Sequence, residues 1–411
     1  MTGGKSTRRR KKISHTNVVN ELSKPNSPLL NGHPINACKT IIFVVILAFI
    51  TLGLYLTWLY INSPISAVPV DDIRVVPQLS TWLNGENTLL QNGIRFLPEL
   101  EAPESIATDQ EGKLYAGLAD GRIVKISDDD NGNREIIDLT EGFDFAENSE
   151  RQGKRPLGLR IVNSTLYFAD AVQGVFQIDL KTRKWGKVVA YNDINSHIIY
   201  ANDLTITADG TTMYFTDISK RWSYTDIQKS ILEMECSGRI LEVDLTTNSI
   251  TKVVFEGLCV PNGIELDHTE SKLLVSENSR RRITVIDRKY GKITKHVHLP
   301  GGTDNIRRSH NGGYWAPVPF LSRPIFDFIL RFPTIRNILA SILDLEGLLE
   351  CNVGVVIKLD DNFEPVYVYY DIEGKVARFV TQVTELNNGD LVLGSYLANG
   401  IVKLDRKFIN G

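Results

Sequence analysis

Cysteine is scarce in this chain, with four in 411 residues. Cys38 precedes the apolar segment described below, and Cys236, Cys259 and Cys351 follow it. Three is odd, so they admit at most one disulfide among themselves, and a fold stapled by several bridges is excluded. Sequence leaves open which two would pair. Charge is missing from Thr40 to Ile61, TIIFVVILAFITLGLYLTWLYI, and acid is nearly missing before it: residues 1–39 hold eight Lys or Arg against Glu21 alone. That head carries +7, so residues 40–411 carry −10 of the total of −3.

The charge-free run is long enough to cross a hydrocarbon core of about 30 Å at about 1.5 Å per residue. It is longer than the apolar region of a cleavable signal peptide, lies behind a basic head and ends in Trp58 and Tyr60, so it reads as an uncleaved signal anchor. Lys39 on one side and Asp71 and Asp72 on the other orient it with the N-terminus in the cytoplasm, a single-pass type II arrangement. The C-terminal part is then luminal or extracellular, at the plasma membrane or endoplasmic reticulum. The basic run from Arg8 to Lys12 sits in a polar head expected to be disordered, so it suits topology and anionic lipid and does not suggest nucleic-acid binding. The sequon at Asn163, between two strand patterns, is a glycosylation candidate.

Past residue 100 one pattern recurs. It begins at Pro103 (PESIATDQEGKLYAGLADGRIVKIS), Arg155 (RPLGLRIVNSTLYFADAVQGVFQIDL), Ala201 (ANDLTITADGTTMYFTDIS), Pro261 (PNGIELDHTESKLLVSENSRRRITVID), Thr303 (TDNIRRSHNGGYWAPV) and Val383 (VTELNNGDLVLGSYLANGIVKLD). Each copy has a short strand, a turn rich in Gly, Asn or Asp, and a stronger strand ending in a small or polar residue. Six such copies predict an all-β six-bladed propeller, which a β-sandwich has no reason to mimic. The expected organisation is a cytoplasmic tail over 1–39, an anchor over 40–61, a linker with first strands over 62–100 and the propeller over 101–411. A Phe-, Ile- and Leu-rich insert over about 320–350, interrupted by Pro324 and Pro333, predicts one or two amphipathic helices across a face of the propeller. Such helices suit packing on the domain itself, a lid over the channel mouth or a membrane contact.

The first strands align at Glu104, Leu157, Asn202, Asn262 and Asp304, with Val383 or Thr384 in the last copy. Innermost strands line a propeller's channel, so Glu104, Asn202, Asn262 and Asp304 should converge near the axis, with Asn305 adding another oxygen. Two carboxylates and two or three amides describe a hard-cation site such as Ca²⁺. No Cys or His stands in the ring, which argues against zinc. Each residue also has a local reading: Pro-Asn-Gly around Asn262 is a turn signal, Asn202 with Asp203 suits an Asx-turn, Glu104 suits an exposed strand end and Asp304 a loop cap. Alternation assigns Asp203 to the opposite side from Asn202, where it would bond a neighbouring turn.

The stretches GKRPLGLRIVNSTLYFADAVQGVFQID, NDLTITADGTTMYFTDIS, SGRILEVDLTTNSITKVVFEGLCVPNGIEL and GGTDNIRRSHNGGYW resemble the strictosidine synthase-like family, in its animal, membrane-associated branch. That family is related to paraoxonases, gluconolactonases and diisopropylfluorophosphatases. The resemblance implies a six-bladed propeller with an axial Ca²⁺ on Glu104, Asn202, Asn262, Asp304 and Asn305, and a calcium-dependent arylesterase- or lactonase-like hydrolase acting on small hydrophobic esters. Two departures stand out. A glutamate used for Pictet–Spengler condensation in strictosidine synthase itself is replaced here by Thr381-Gln382, so alkaloid condensation is not expected. The cysteine pair that animal relatives often carry before the RPLG motif is absent from FDFAENSERQGKRPLG. A water or a ligating carboxylate such as Asp304 is the candidate nucleophile, His197 the candidate base five residues before Asn202, and His296 and His298 read as an exposed strand. The rival expectation is a non-catalytic platform for protein or glycan partners in which Ca²⁺ only locks the blades.

Overall fold

The computed structural model describes residues 34–70, 83, 87–128, 133–143, 153–191, 193, 197–342 and 352–409. Helix α1, Pro34–Ile61, covers the charge-free run and starts six residues before it. From Cys38 to Ile61 it is long and apolar enough to cross a membrane, and among the described residues it is the one helix of that kind. Asp71 and Asp72 lie outside the described residues.

Among the described residues from Ile94 to Leu404 are six four-stranded antiparallel sheets and one short pairing, Gly301–Gly302 with Phe320–Leu321. Blades 1 to 4 are made in chain order from inside to outside, with innermost strands Ser105–Thr108, Pro156–Val162, Ala201–Ile206 and Pro261–Leu266. Blade 5 has Arg307–Arg308 innermost, and blade 6 has Val380–Glu385. The last blade borrows its outermost strand, Ile94–Phe96, from ahead of blade 1, pairing it with Ile401–Lys403. The ring is thereby closed by joining the two ends of the propeller, and its first strand lies within the 62–100 stretch expected to hold a linker and first strands.

The alternation that marks these strands gives each sheet two apolar faces, and the core lies between neighbouring blades. Ala169 and Val175 of blade 2 pack with Leu204, Phe215 and Leu241 of blade 3. Val285 and Leu274 of blade 4 pack with Tyr314, Ala316 and Ile357 of blade 5. One inter-blade cluster follows another around the ring, so each inner strand is held from both sides.

The insert forms α3, Pro324–Leu330, and α4, Pro333–Ile342. Pro324 and Pro333 begin these helices, where the missing N–H costs nothing; residues 343–350 lie outside the described ones. A further helix, α2 (Ile227–Glu233), as short as α3, was not foreseen from sequence. It packs on α4 and places Leu232 in a small cluster with Ile65, Trp222 and Phe326. Cys236, just past α2, is disulfide-bonded to Cys259, just ahead of the blade 4 inner strand. Cys38 is free and exposed, and Cys351 lies outside the described residues.

Candidate functional site

The inner strands of blades 2, 3, 4 and 6 share one irregularity, and it shapes the site. In blade 3 Ala201 pairs with Asp217 and Leu204 with Phe215, so three steps on one strand face two on the other. The same bulge separates Pro156 from Leu159 and Pro261 from Ile264, and an extra residue also intervenes between Val380 and Gln382. A bulge breaks strict alternation. In these blades two consecutive residues therefore serve the channel, one layer above the other.

This register corrects the sixth copy. Val380 and Val383 stand where Ala201 and Leu204 stand, so the residue equivalent to Asn202 is Thr381, not Val383 or Thr384. Val383 is buried in the blade core with Leu393 and Leu391. The upper layer is thus Glu104, Leu157, Asn202, Asn262, Asp304 and Thr381. Thr381 spends its hydroxyl on the Glu104 carbonyl at 2.8 Å.

Acidic residues at the ends of the second strands fix where these inner strands begin. Asp170 accepts the Arg155 N–H at 2.8 Å, Asp217 the Tyr200 N–H at 2.9 Å, and Glu277 the Cys259 N–H at 3.2 Å. Each bond lands two or three residues ahead of Leu157, Asn202 or Asn262.

Glu104, Asn202 and Asp304 are buried and Asn262 is half-buried. Glu104 Oε2, Asn202 Oδ1, Asn262 Oδ1 and Asp304 Oδ1 accept no hydrogen bond from the protein, and neither does Asn305 Oδ1. Orphaned buried acceptors are rare and costly. Those of Glu104, Asn202, Asn262 and Asp304 come from four blades and line one cavity of about 130 Å³. Burial pushes the Glu104 carboxyl up to about 7, and burial with the neighbouring Glu104 and Asp203 charges pushes Asp304 well above the usual carboxylate range. Two carboxyls and two amide oxygens without partners fit a hard, oxygen-liganded divalent cation, which would restore both negative charges. Among the described residues no group of three His, Cys, Asp or Glu is assembled to hold a metal, so amides must complete any such site.

Asn305 aims Nδ2 at Glu104 Oε1, 2.8 Å away, which orients that carboxylate. Asp203 departs from its expected place: it faces the channel's lower layer and bonds no neighbouring turn. Arg307 holds it with Nη1 to Oδ2 at 2.8 Å and Nη2 to Oδ1 at 3.1 Å, and the Ile264 N–H adds 2.9 Å. The layer accommodates this pair because two of its positions are glycine, Gly158 and Gly263. A Cβ on Gly158 would lie 2.3 Å from Asp203 Oδ1, and one on Gly263 would lie 2.4 Å from the Asp304 carbonyl.

Of the cavity walls, the sequence pointed only to the insert, to which Phe320 belongs. Ile227 and Ile231 of α2, Phe320, Phe379 and Leu397 make them apolar, and Tyr200 and Tyr396 add hydroxyls. Tyr396 is bonded to Tyr224 at 2.7 Å, hydroxyl to hydroxyl, and burial raises the pKa of Tyr200 and Tyr396, so both remain protonated. The signals were present in YANDL and GSYLANG, a tyrosine beside each inner-strand motif. His197 lies elsewhere: it is exposed, at φ 42°, and offers its carbonyl to Arg239 at 2.9 Å. His296 and His298 are neighbours on the outermost strand of blade 4. Asn163 is exposed in a two-residue turn.

Family matches take in part of this ring, Glu104, Asn202 and Asn262. The family described as "Strictosidine synthase" matches residues 202–292, and "Strictosidine synthase-like, N-terminal" matches 86–126. An adipocyte plasma membrane-associated protein of Salmo salar is 34% identical over 328 residues, covering 75% of this chain and 77% of the relative. That of Danio rerio is 32% identical over 380 residues, covering 88% and 89%. A strictosidine synthase-like protein of Arabidopsis thaliana is 31% identical over 317 residues, covering 69% and 76%.

Proposed function

The chain belongs to the strictosidine synthase-like family, and from that premise we propose that it is a membrane-anchored, calcium-dependent hydrolase of small hydrophobic esters or lactones. The observation that carries the reading is the set of partnerless oxygens on Glu104, Asn202, Asn262 and Asp304 at the floor of an apolar cavity. These four residues, with Asn305 beside them, would hold Ca²⁺. Bound there, it supplies Lewis-acid polarisation of a carbonyl or phosphoryl oxygen.

The chain's own residues do the rest. Asn305 and the Arg155 charge steady Glu104. Asp304 places a carboxylate oxygen free of protein bonds at the floor, suited to attack or to taking a proton from water. Ile227, Ile231 and Phe320 exclude water and select apolar substrates. The protonated tyrosine hydroxyls of Tyr200 and Tyr396 are available to orient a leaving-group oxygen.

The propeller's placement on the luminal or extracellular side is supported by the Cys236–Cys259 disulfide, which suits an oxidising compartment, and by the exposed sequon at Asn163. A second reading rests on the same ring. Its donors come from blades 1, 3, 4 and 5, so a cation there would also tie the propeller together, and a non-catalytic binding platform would need nothing more.

The test is aryl-ester and lactone hydrolysis by the full chain in bilayer nanodiscs. Turnover abolished by chelator and by Asn202→Ala or Asp304→Ala, in variants that stay folded, supports the hydrolase. Stability lost on chelation with no turnover on either substrate class leaves the platform.

A further inference from the structure

Five large apolar side chains on the insert face solvent. Ile325 is 67% exposed, Phe328 54%, Phe332 41%, Ile335 36% and Ile342 51%. Ile325 and Phe328 are one turn apart on α3, Ile335 and Ile342 two turns apart on α4, and the Phe328 and Phe332 rings touch at 4.9 Å. The opposite sides of the helices are buried through Asp327, Leu330, Arg336 and Asn337. A cluster of exposed aromatic and aliphatic side chains of this size marks a surface that something covers.

The chain also shows what lies beside it. The last turn of α1 buries Leu59, whose carbonyl accepts the Ser341 hydroxyl at 2.9 Å. The segment leaving α1 is then fixed to α4 and α2. Asn337 Oδ1 accepts the Ala67 N–H at 3.1 Å, Glu233 Oε1 the Ser66 N–H at 2.7 Å, and the Glu233 carbonyl the Val68 N–H at 3.0 Å. The Arg336 guanidinium bonds the Leu232, Glu233 and Val68 carbonyls. Ile65 is buried with Leu232 and Phe326. No slack linker intervenes: the residues that end the apolar helix are bonded to the helices that bear the exposed patch.

We propose that the exposed face of α3 and α4 inserts into the interfacial layer of the same bilayer that α1 spans, docking the propeller against the membrane. The proposal rests on the reading that α1 crosses a bilayer. If it does, Trp58 and Tyr60 lie at the membrane–water boundary, and α4, bonded one residue from each, lies there too. Exposed Arg331, and Arg323 at the start of α3, flank the apolar residues where lipid phosphates would meet them. Docking also brings the wall of the candidate site to the lipid surface. Phe326 and Leu330, on the inner side of α3, line a cavity that shares Ile231, Asn278 and Phe320 with the cavity over Glu104 and Asp304.

The test uses the full chain in nanodiscs, in a Cys38→Ala, Cys351→Ala background, with one environment-sensitive fluorophore attached at Phe328→Cys, Ile335→Cys or Tyr290→Cys. Tyr290 is 65% exposed, in the turn at the far end of the strand Arg282–Asp287, whose near end adjoins the Arg281–Asp327 ion pair. Doxyl-labelled lipid should quench positions 328 and 335 several-fold more than 290, and iodide should quench them less. Equal responses at all three positions would overturn docking. Shielding from iodide without quenching by lipid would also overturn it, because a second copy would then cover the face. Alkaline carbonate extraction of cell membranes carrying the same variants separates this from its premise: protein retained in the membrane pellet shows that α1 spans, whatever the fluorophores report.

Discussion

Asn305 donates its side-chain N–H to Glu104 across 2.8 Å and so joins blade 5 to blade 1, two blades that are not neighbours. The bond uses one oxygen of Glu104 and leaves the other, with Asn305 Oδ1, buried and without a donor. Replacing that amide by a carboxylate, Asn305→Asp, sets two anions against each other. The cation-free protein should lose stability, and the increment that Ca²⁺ restores should exceed that of the unaltered chain, read as the shift in thermal midpoint. In the unaltered chain the increment should be about 2.7 kcal/mol at roughly 100 times the dissociation constant. It should vanish in Asn202→Ala. An equal shift in all three proteins would mean that calcium binds elsewhere.

The raised carboxyls make stability depend on pH in a definite direction. Glu104, pushed up to about 7 from an ordinary value of 4.5, binds a proton more tightly folded than unfolded, as does Asp304. Such a group favours the folded state at low pH, and its contribution is lost as pH rises through the folded value. Cation-free protein should therefore lose stability between about pH 4.5 and 7 on account of Glu104, with Asp304 acting in the same direction. Saturating Ca²⁺ should flatten or reverse that slope, and calcium affinity should rise over the same window. Denaturant melts at several pH values, with and without chelator, measure both. Identical slopes would remove the ring from consideration.

Arg307 and Asp203 form a buried, two-bonded ion pair on the axis. Arg307→Ala should cost about 3–5 kcal/mol, since it strands a buried charge. A double-mutant cycle with Asp203→Asn should return a coupling energy of about 0.5–3 kcal/mol in urea unfolding. Additive single effects would show that Asp203 is held by the Ile264 N–H instead.

Cys236 and Cys259 close a loop with a sequence separation of 23 between the end of α2 and the strand that carries Asn262. Removing the bridge with Cys236→Ser and Cys259→Ser should cost about 3 kcal/mol by loop entropy. It should also weaken calcium binding, because α2 and Asn262 flank the same cavity. A loss of stability with unchanged calcium affinity would confine the bridge to a structural role.

Much of this protein is written locally. Period-two alternation, six recurrences of one motif and the uncharged run from Thr40 to Ile61 each follow from the order of residues, so propeller and apolar helix are legible without a structure. So is the shared register of Glu104, Asn202, Asn262 and Asp304, because equivalent positions in a closed ring must meet. What failed was what depends on partners distant in the chain. Whether Asp203 faces away from Asn202 is decided by a bulge, and a bulge exists only once the neighbouring strand is paired; it turned Asp203 towards Arg307, and the same irregularity placed Thr381 in the sixth position. Helix α2 is seven residues long, too short to be stable by its own propensity. Packing on α4 and the bonds to residues 66 and 68 hold it, so no local pattern could announce the wall of the cavity. The choice of Cys259 for Cys236 likewise needed the distance between them, which the fold alone supplies.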